Sequence, residues 1–316
     1  MKKKLLLLCG LMTIVLMGAM AFSFIFDTKG EEKQGLTIVT SFYPMYVLTE
    51  NIAGDIDNID IVNLTNYSSG CLHDYQLSTS DMKRLEDADI LIINGGGMES
   101  FMEDVFASYP QLPIITASDG ISFLFSEEHD HVDEEDPDHE HTDEEYNAHV
   151  WMNMEYYLIQ IENIVNSLCE LDTEHAKVYK ENGLKYSKKV EALKEEYKKL
   201  LSLNEYEKIV IFHDAFAYLA KEFNLNIIHT VNMDSETALS AGEIAEVVDE
   251  VREENVQVLF TEEQYRMSIA SNIADETGAE VFVIDSGVTG NMDKDAYLNS
   301  MENNLKVLIE AFGEGK

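Results

Sequence analysis

An α/β fold of two lobes, each a parallel β-sheet flanked by helices, joined by a long rigid connecting helix, is predicted by three features of this 316-residue sequence. From Leu36 onward, short β-rich runs alternate with amphipathic helical runs, the alternation that packs parallel strands between helices. One break interrupts it, over residues 154–203, where apolar side chains keep helical spacing almost throughout. The third feature is bulk: with 45% hydrophobic residues the chain can fill two cores of ordinary domain size.

In chain order, residues 37–40 read as the first strand, 44–54 as a helix and 59–63 as the second strand. Ser78 with Asp81 three residues on marks a helix start, and that helix ends near Asp87. Residues 90–93 are a buried strand stopped by Gly95-Gly96-Gly97; 98–107 read as helix and 113–116 as strand. In the connecting segment Leu158, Ile161, Val165 and Leu168, then Val190, Leu193, Tyr197, Leu200 and Leu201, repeat at helical intervals, and Gly183 is a candidate bend. The second lobe runs strand 209–212, helix 215–223, strand 226–229, a capping box at Ser240 and Glu243, strand 256–260, helix 269–277, strand 280–284 and helix 295–312. The implied division is a leader at 1–26, a linker at 27–35, an N-terminal lobe at 36–153 holding an acidic loop at 126–146, the connector at 154–205 and a C-terminal lobe at 206–316.

Sixty acidic residues against 22 basic ones give a formal charge of −38, which excludes nucleic acid as a partner and suits cations. Lys2-Lys3-Lys4 followed by an apolar run to Phe26 addresses the chain to export, either as a cleaved signal or as a retained membrane anchor. Beyond it stand only Cys71 and Cys169, so no disulfide framework carries the fold; Cys169 falls on an apolar helical face and Cys71 lies two residues before His73.

The acidic loop holds His129, His131, His139 and His141 among carboxylates with no Lys or Arg, a composition that gathers divalent cations weakly because each ion must order a flexible segment. A tighter site is expected beside it. Ligands of open α/β sheets lie beyond the carboxyl ends of strands, where this chain places His73, His213 and Asp285, with His149 closing the acidic loop. Three imidazoles and one carboxylate suit tetrahedral Zn²⁺ ahead of Mn²⁺, which favours more oxygen donors. Glu262 and Glu263, also just past a strand, compete for the carboxylate place, and Asp214 either orients a ligand histidine or caps the next helix.

These residues carry a resemblance. Gly70-Cys71-Leu72-His73-Asp74-Tyr75-Gln76-Leu77-Ser78, His149-Val150-Trp151, Phe212-His213-Asp214-Ala215-Phe216 and Val258-Leu259-Phe260-Thr261-Glu262 resemble, in order, the metal-binding receptors of bacterial zinc and manganese ABC transporters. The resemblance implies a monomeric, non-catalytic, extracytoplasmic receptor that holds Zn²⁺ between its lobes at His73, His149, His213 and Asp285 and delivers it to a membrane permease. The histidine-rich insertion resembles that of the zinc-specific members. Leu72 stands where the family has proline, and Asn153-Met154 where it has Asp-Pro; the match is weakest around Asp285. Alternatives are a manganese receptor, a surface adhesin, or a zinc hydrolase, although the chain lacks a His-Glu-x-x-His helix.

Overall fold

Two four-stranded sheets organise the computed structural model, which describes residues 35–67, 72, 75–126, 146–200, 207–231, 239–263 and 267–312. Both lobes belong to one unit, residues 37–316; of the separate unit before it only Gly35 and Leu36 are described. The N-terminal lobe contains β1 (Leu36–Thr40), α1 (Tyr43–Ala53), β2 (Ile59–Asn63), α2 (Thr79–Glu86), β3 (Ile90–Ile93), α3 (Glu103–Ser108) and β4 (Ile114–Thr116). Its sheet order is β2-β1-β3-β4, with β1–β3 and β3–β4 parallel. A small antiparallel pair follows, β5 (Leu124–Phe125) with β6 (Tyr146–Asn147). After α4 (Met154–Leu171) and α5 (Ala176–Leu200), the C-terminal lobe runs β7 (Lys208–Ile211), α6 (Phe216–Phe223), β8 (Asn226–Thr230), α7 (Ala241–Glu253), β9 (Val258–Thr261), α8 (Met267–Thr277), β10 (Glu280–Val283) and α9 (Ala296–Phe312). The order of its parallel sheet is β10-β9-β7-β8.

Each lobe has the core that its apolar spacing predicts. Val39, Leu64, Leu85, Leu91 and Met102 pack together in the first, and Val210, Phe212, Val251, Leu259 and Ile273 in the second. Burying each such side chain stabilises by roughly 1.5–3 kcal/mol. Both expected capping boxes form: the Asp81 and Glu243 amides donate to Ser78 Oγ and Ser240 Oγ, and each acidic side chain accepts from the serine's own N–H.

Three local differences have physical causes. The helix expected over 98–107 starts late, as a 3₁₀ turn at Ser100–Met102 ahead of α3, because Gly95, Gly96 and Gly97 all have positive φ. Glu99 fixes that turn, its buried carboxylate accepting from the Asn94 and Gly95 amides and from Ser41 Oγ. The connecting segment is helical but divides at Asp172, whose Oδ2 accepts from His175 Nδ1 at 2.6 Å and Tyr179 Oη at 2.7 Å and ends α4. Gly183 does not bend the 25-residue α5; it lets α4 approach, since a Cβ there would lie 2.4 Å from Val165 Cγ2. The third difference is the β5–β6 pair, absent from the sequence expectation.

Cys169 is a free thiol donating to the Ala176 carbonyl, so it forms no disulfide with Cys71, which lies outside the described residues. The 1–26 segment also lies outside them; among the described residues no helix is long and apolar enough to cross a membrane.

A clasp joins the lobes on the side of α1. Tyr43 Oη donates to the Asn291 carbonyl at 2.6 Å, Asn51 Nδ2 to the Lys294 carbonyl at 2.7 Å, and the Gly290 amide to the Tyr67 carbonyl at 3.1 Å. Gly290 is required there because a Cβ would meet Tyr43 Oη at 2.2 Å.

Candidate metal centre

Adjacent parallel strands end side by side, so residues just beyond them become neighbours however far apart they stand in sequence. His213 follows β7 by two positions, and Glu262 follows β9 directly. Their strands are paired, and His213 Nδ1 lies 2.9 Å from Glu262 Oε2. The other Glu262 oxygen accepts from the Ser286 amide at 2.9 Å and Ser286 Oγ at 2.6 Å, at the end of β10. Glu262 Oε2 is thus placed to accept from Nδ1 of His213 and to orient its ring.

The N-terminal lobe supplies the second imidazole. Just past β6, the Asn147 side-chain oxygen accepts from the His149 amide at 3.1 Å and lies 2.9 Å from His149 Nδ1. The chain then turns through Val150–Met152 into α4, and buried Trp151 donates to the Ser286 carbonyl at 2.8 Å. Asn147 also donates to the Asp214 carbonyl at 2.8 Å, so one side chain orients His149 and ties it to the turn bearing His213.

The rings of His149 and His213 meet edge to face with centroids 4.9 Å apart, and both are fully buried. Asp214 Oδ1 lies 3.3 Å from His149 Nδ1 and 3.8 Å from His213 Nε2. One donor atom from each of His149, His213 and Asp214 falls within 4.8 Å of the others, close enough to share an ion.

Asp285 stands apart from this group. Its carboxylate accepts from the Gly287 amide and from Ser300 Oγ, each at 2.8 Å, in a pocket wall shared with Tyr43 and Asp293. Desolvation, with the charges of Glu262 and Glu263 adding to it, pushes that carboxyl above the usual carboxylate range against those two hydrogen bonds. His73, His129, His131, His139 and His141 lie outside the described residues. Sequence reasoning had not found Asn147, since a two-residue strand carries no periodicity.

The ZnuA family model, described as zinc-uptake complex component A, periplasmic, matches residues 38–311. The chain belongs to this family. It is a metal-binding receptor of ABC-type metal uptake and not an enzyme, which sets the zinc hydrolase aside. It is similar to the high-affinity zinc uptake system protein ZnuA of Bacillus subtilis, 28% identical over 291 residues, covering 90% of this chain and 89% of that protein. Similar too is the iron-binding protein YfeA of Yersinia pestis, 27% identical over 282 residues and 88% and 86% of the two chains. Among solved structures, the laminin-binding protein Lbp of Streptococcus pyogenes shares 28% identity and a TM-score of 0.70, over 88% of this chain and 100% of that one. The two-lobed fold of parallel sheets is therefore a ZnuA-family fold.

Proposed function

We propose that this ZnuA-family chain captures Zn²⁺ between its lobes on the extracytoplasmic side of the membrane and delivers it to an ABC permease, working as a monomer. The observation that carries the reading is the buried pair His149 and His213, one from each lobe, each ring oriented by a side-chain oxygen 2.9 Å from its Nδ1. Imidazole donors suit zinc ahead of manganese, and the matched family description and the Bacillus subtilis relative both name zinc. YfeA is named for iron, which makes metal choice the part to be tested.

His73 is the third imidazole in this reading, and two carboxylates compete for the fourth place. Asp214 is favoured by its distances, and Asp285 by its position past β10 beside Ser286. Turning Asp285 away from Ser300 is the step its ligation requires. Residues 127–145 serve as an accessory, weaker gathering segment in this proposal, on the strength of their composition.

Competition titration of the purified chain against a zinc-chelating dye, repeated with Mn²⁺ and Fe²⁺, tests the proposal. Zn²⁺ is expected to bind tightest, and His149→Ala to weaken it by about a hundredfold or more, the loss of one direct ligand exceeding the 10–100-fold typical of an outer partner. Of Asp214→Asn and Asp285→Asn, the one with the larger loss identifies the carboxylate ligand. Unchanged affinity in His149→Ala, or preference for Mn²⁺ or Fe²⁺, contradicts the reading.

A further inference from the structure

Both imidazoles of the centre are fully buried, so a cation must have a path to them. On the side toward α1 the lobes are tied together by the Tyr43, Asn51 and Gly290 clasp. On the side of β5, β6 and α6 lies a pocket of about 280 Å³ whose walls include Leu124, Asn147, Ala217, Leu225 and Thr230, with Asp214 among them. Asp214 is the member of the three-residue group that reaches solvent: its side chain is 12% exposed, against 0% for His149 and His213.

We infer that the metal ion reaches His149 and His213 through this pocket, with Asp214 as the carboxylate that receives it and passes it inward. The inference rests on the proposed role of the two histidines as ligands. The lining is mostly apolar and has one carboxylate, too few oxygen donors to retain a divalent ion, so the pocket is a passage and not a second site. Asp214 Oδ1 is 3.8 Å from Nε2 of His213, so a cation bound to it needs no large protein movement to reach that imidazole. Lys221, the cation in the pocket wall, is tied down: its Nζ donates to Tyr156 Oη at 2.8 Å and lies 5.2 Å from that ring's centre. The strands that bracket the acidic, histidine-bearing residues 126–145 are β5 and β6, which contribute Leu124 and Asn147 to the same walls.

The chain carries its own reporter, since its single tryptophan, Trp151, has its ring centre 5.2 Å from that of His149. Stopped-flow mixing of the full chain with Zn²⁺ alone, read through Trp151 fluorescence, gives association and dissociation rates, and dye competition gives the equilibrium affinity. Ala217→Phe and Thr230→Phe narrow the passage and replace none of the candidate ligands. Both rates are expected to fall about tenfold with affinity held within about threefold, because a blocked path alters the barrier and not the end states. Thr289→Phe, in the pocket at Asp285, should leave the rates unchanged. Where a Phe variant loses its thermal unfolding transition, Ala217→Leu and Thr230→Leu take its place. Parental rates in the passage variants with zinc still bound, or slowing confined to Thr289→Phe, overturn the route. Absence of saturable zinc binding in the parent would instead remove the functional reading beneath it.

Discussion

Glu222 shows how single side chains hold the centre's supports in place. Its Oε2 accepts from the Met154 amide at 2.7 Å, joining α6, which follows His213, to the start of α4, which follows His149. Burial pushes its carboxyl from 4.5 up to about 7, opposed by that amide and by the charge of Lys194. An acid whose folded value is raised contributes stability that is fully present below about 4.5 and is lost as pH rises through about 7. Glu222→Gln keeps an acceptor for Met154 and removes the charge. Denaturant unfolding of metal-free protein should therefore find the variant more stable above pH 7, by on the order of 2 kcal/mol, with the gap closing toward pH 4.5. A constant gap across that range would contradict the assignment. At this scale the sequence was partly legible. The places of His213, Glu262 and Asp285 just past apolar runs were readable; the burial of Glu262 against His213 and the separation of Asp285 from that pair were not. Nor was the approach of Asp214 to both imidazoles, since it depends on Asn147 bonding across 67 residues of chain.

Among the elements, strands and capped helices were the readable part because their signals are local: apolar runs of four or five residues and Ser-x-x-Asp or Ser-x-x-Glu at a helix start. Breaks were harder. The division of the connector at Asp172 depends on a side chain gathering His175 and Tyr179, while Gly183, the residue that looked like a break, lies inside an unbroken helix against Val165. A mutation separates the two roles of that glycine. In an isolated helix Gly183→Ala would stabilise by about 1 kcal/mol from propensity. Here the added methyl would come within 2.4 Å of a stiff Val165 branch, so thermal or denaturant unfolding should show net destabilisation, by about 1–3 kcal/mol. A rise in stability would mean that α4 and α5 are not packed as closely as described.

For the whole molecule, the arrangement is two parallel-sheet lobes that meet around the candidate centre, clasped on one side at Tyr43 and Gly290 and bordered on the other by a pocket that Asp214 lines. In the proposed reading the principal site is the buried, pre-oriented pair of imidazoles, and the acidic residues 127–145 take the accessory, weaker role that their composition suggests. Architecture was legible from the alternation of strands and helices; the closing of two strand ends from different lobes around His149 and His213 was not, because it is set by packing between lobes. The most direct test of the central claim is a calorimetric zinc titration of the chain lacking residues 127–145, alone and with His213→Ala. One tight site should survive the deletion and disappear with the histidine. A tight site that is lost with the deletion, or that persists in His213→Ala, would place the zinc elsewhere.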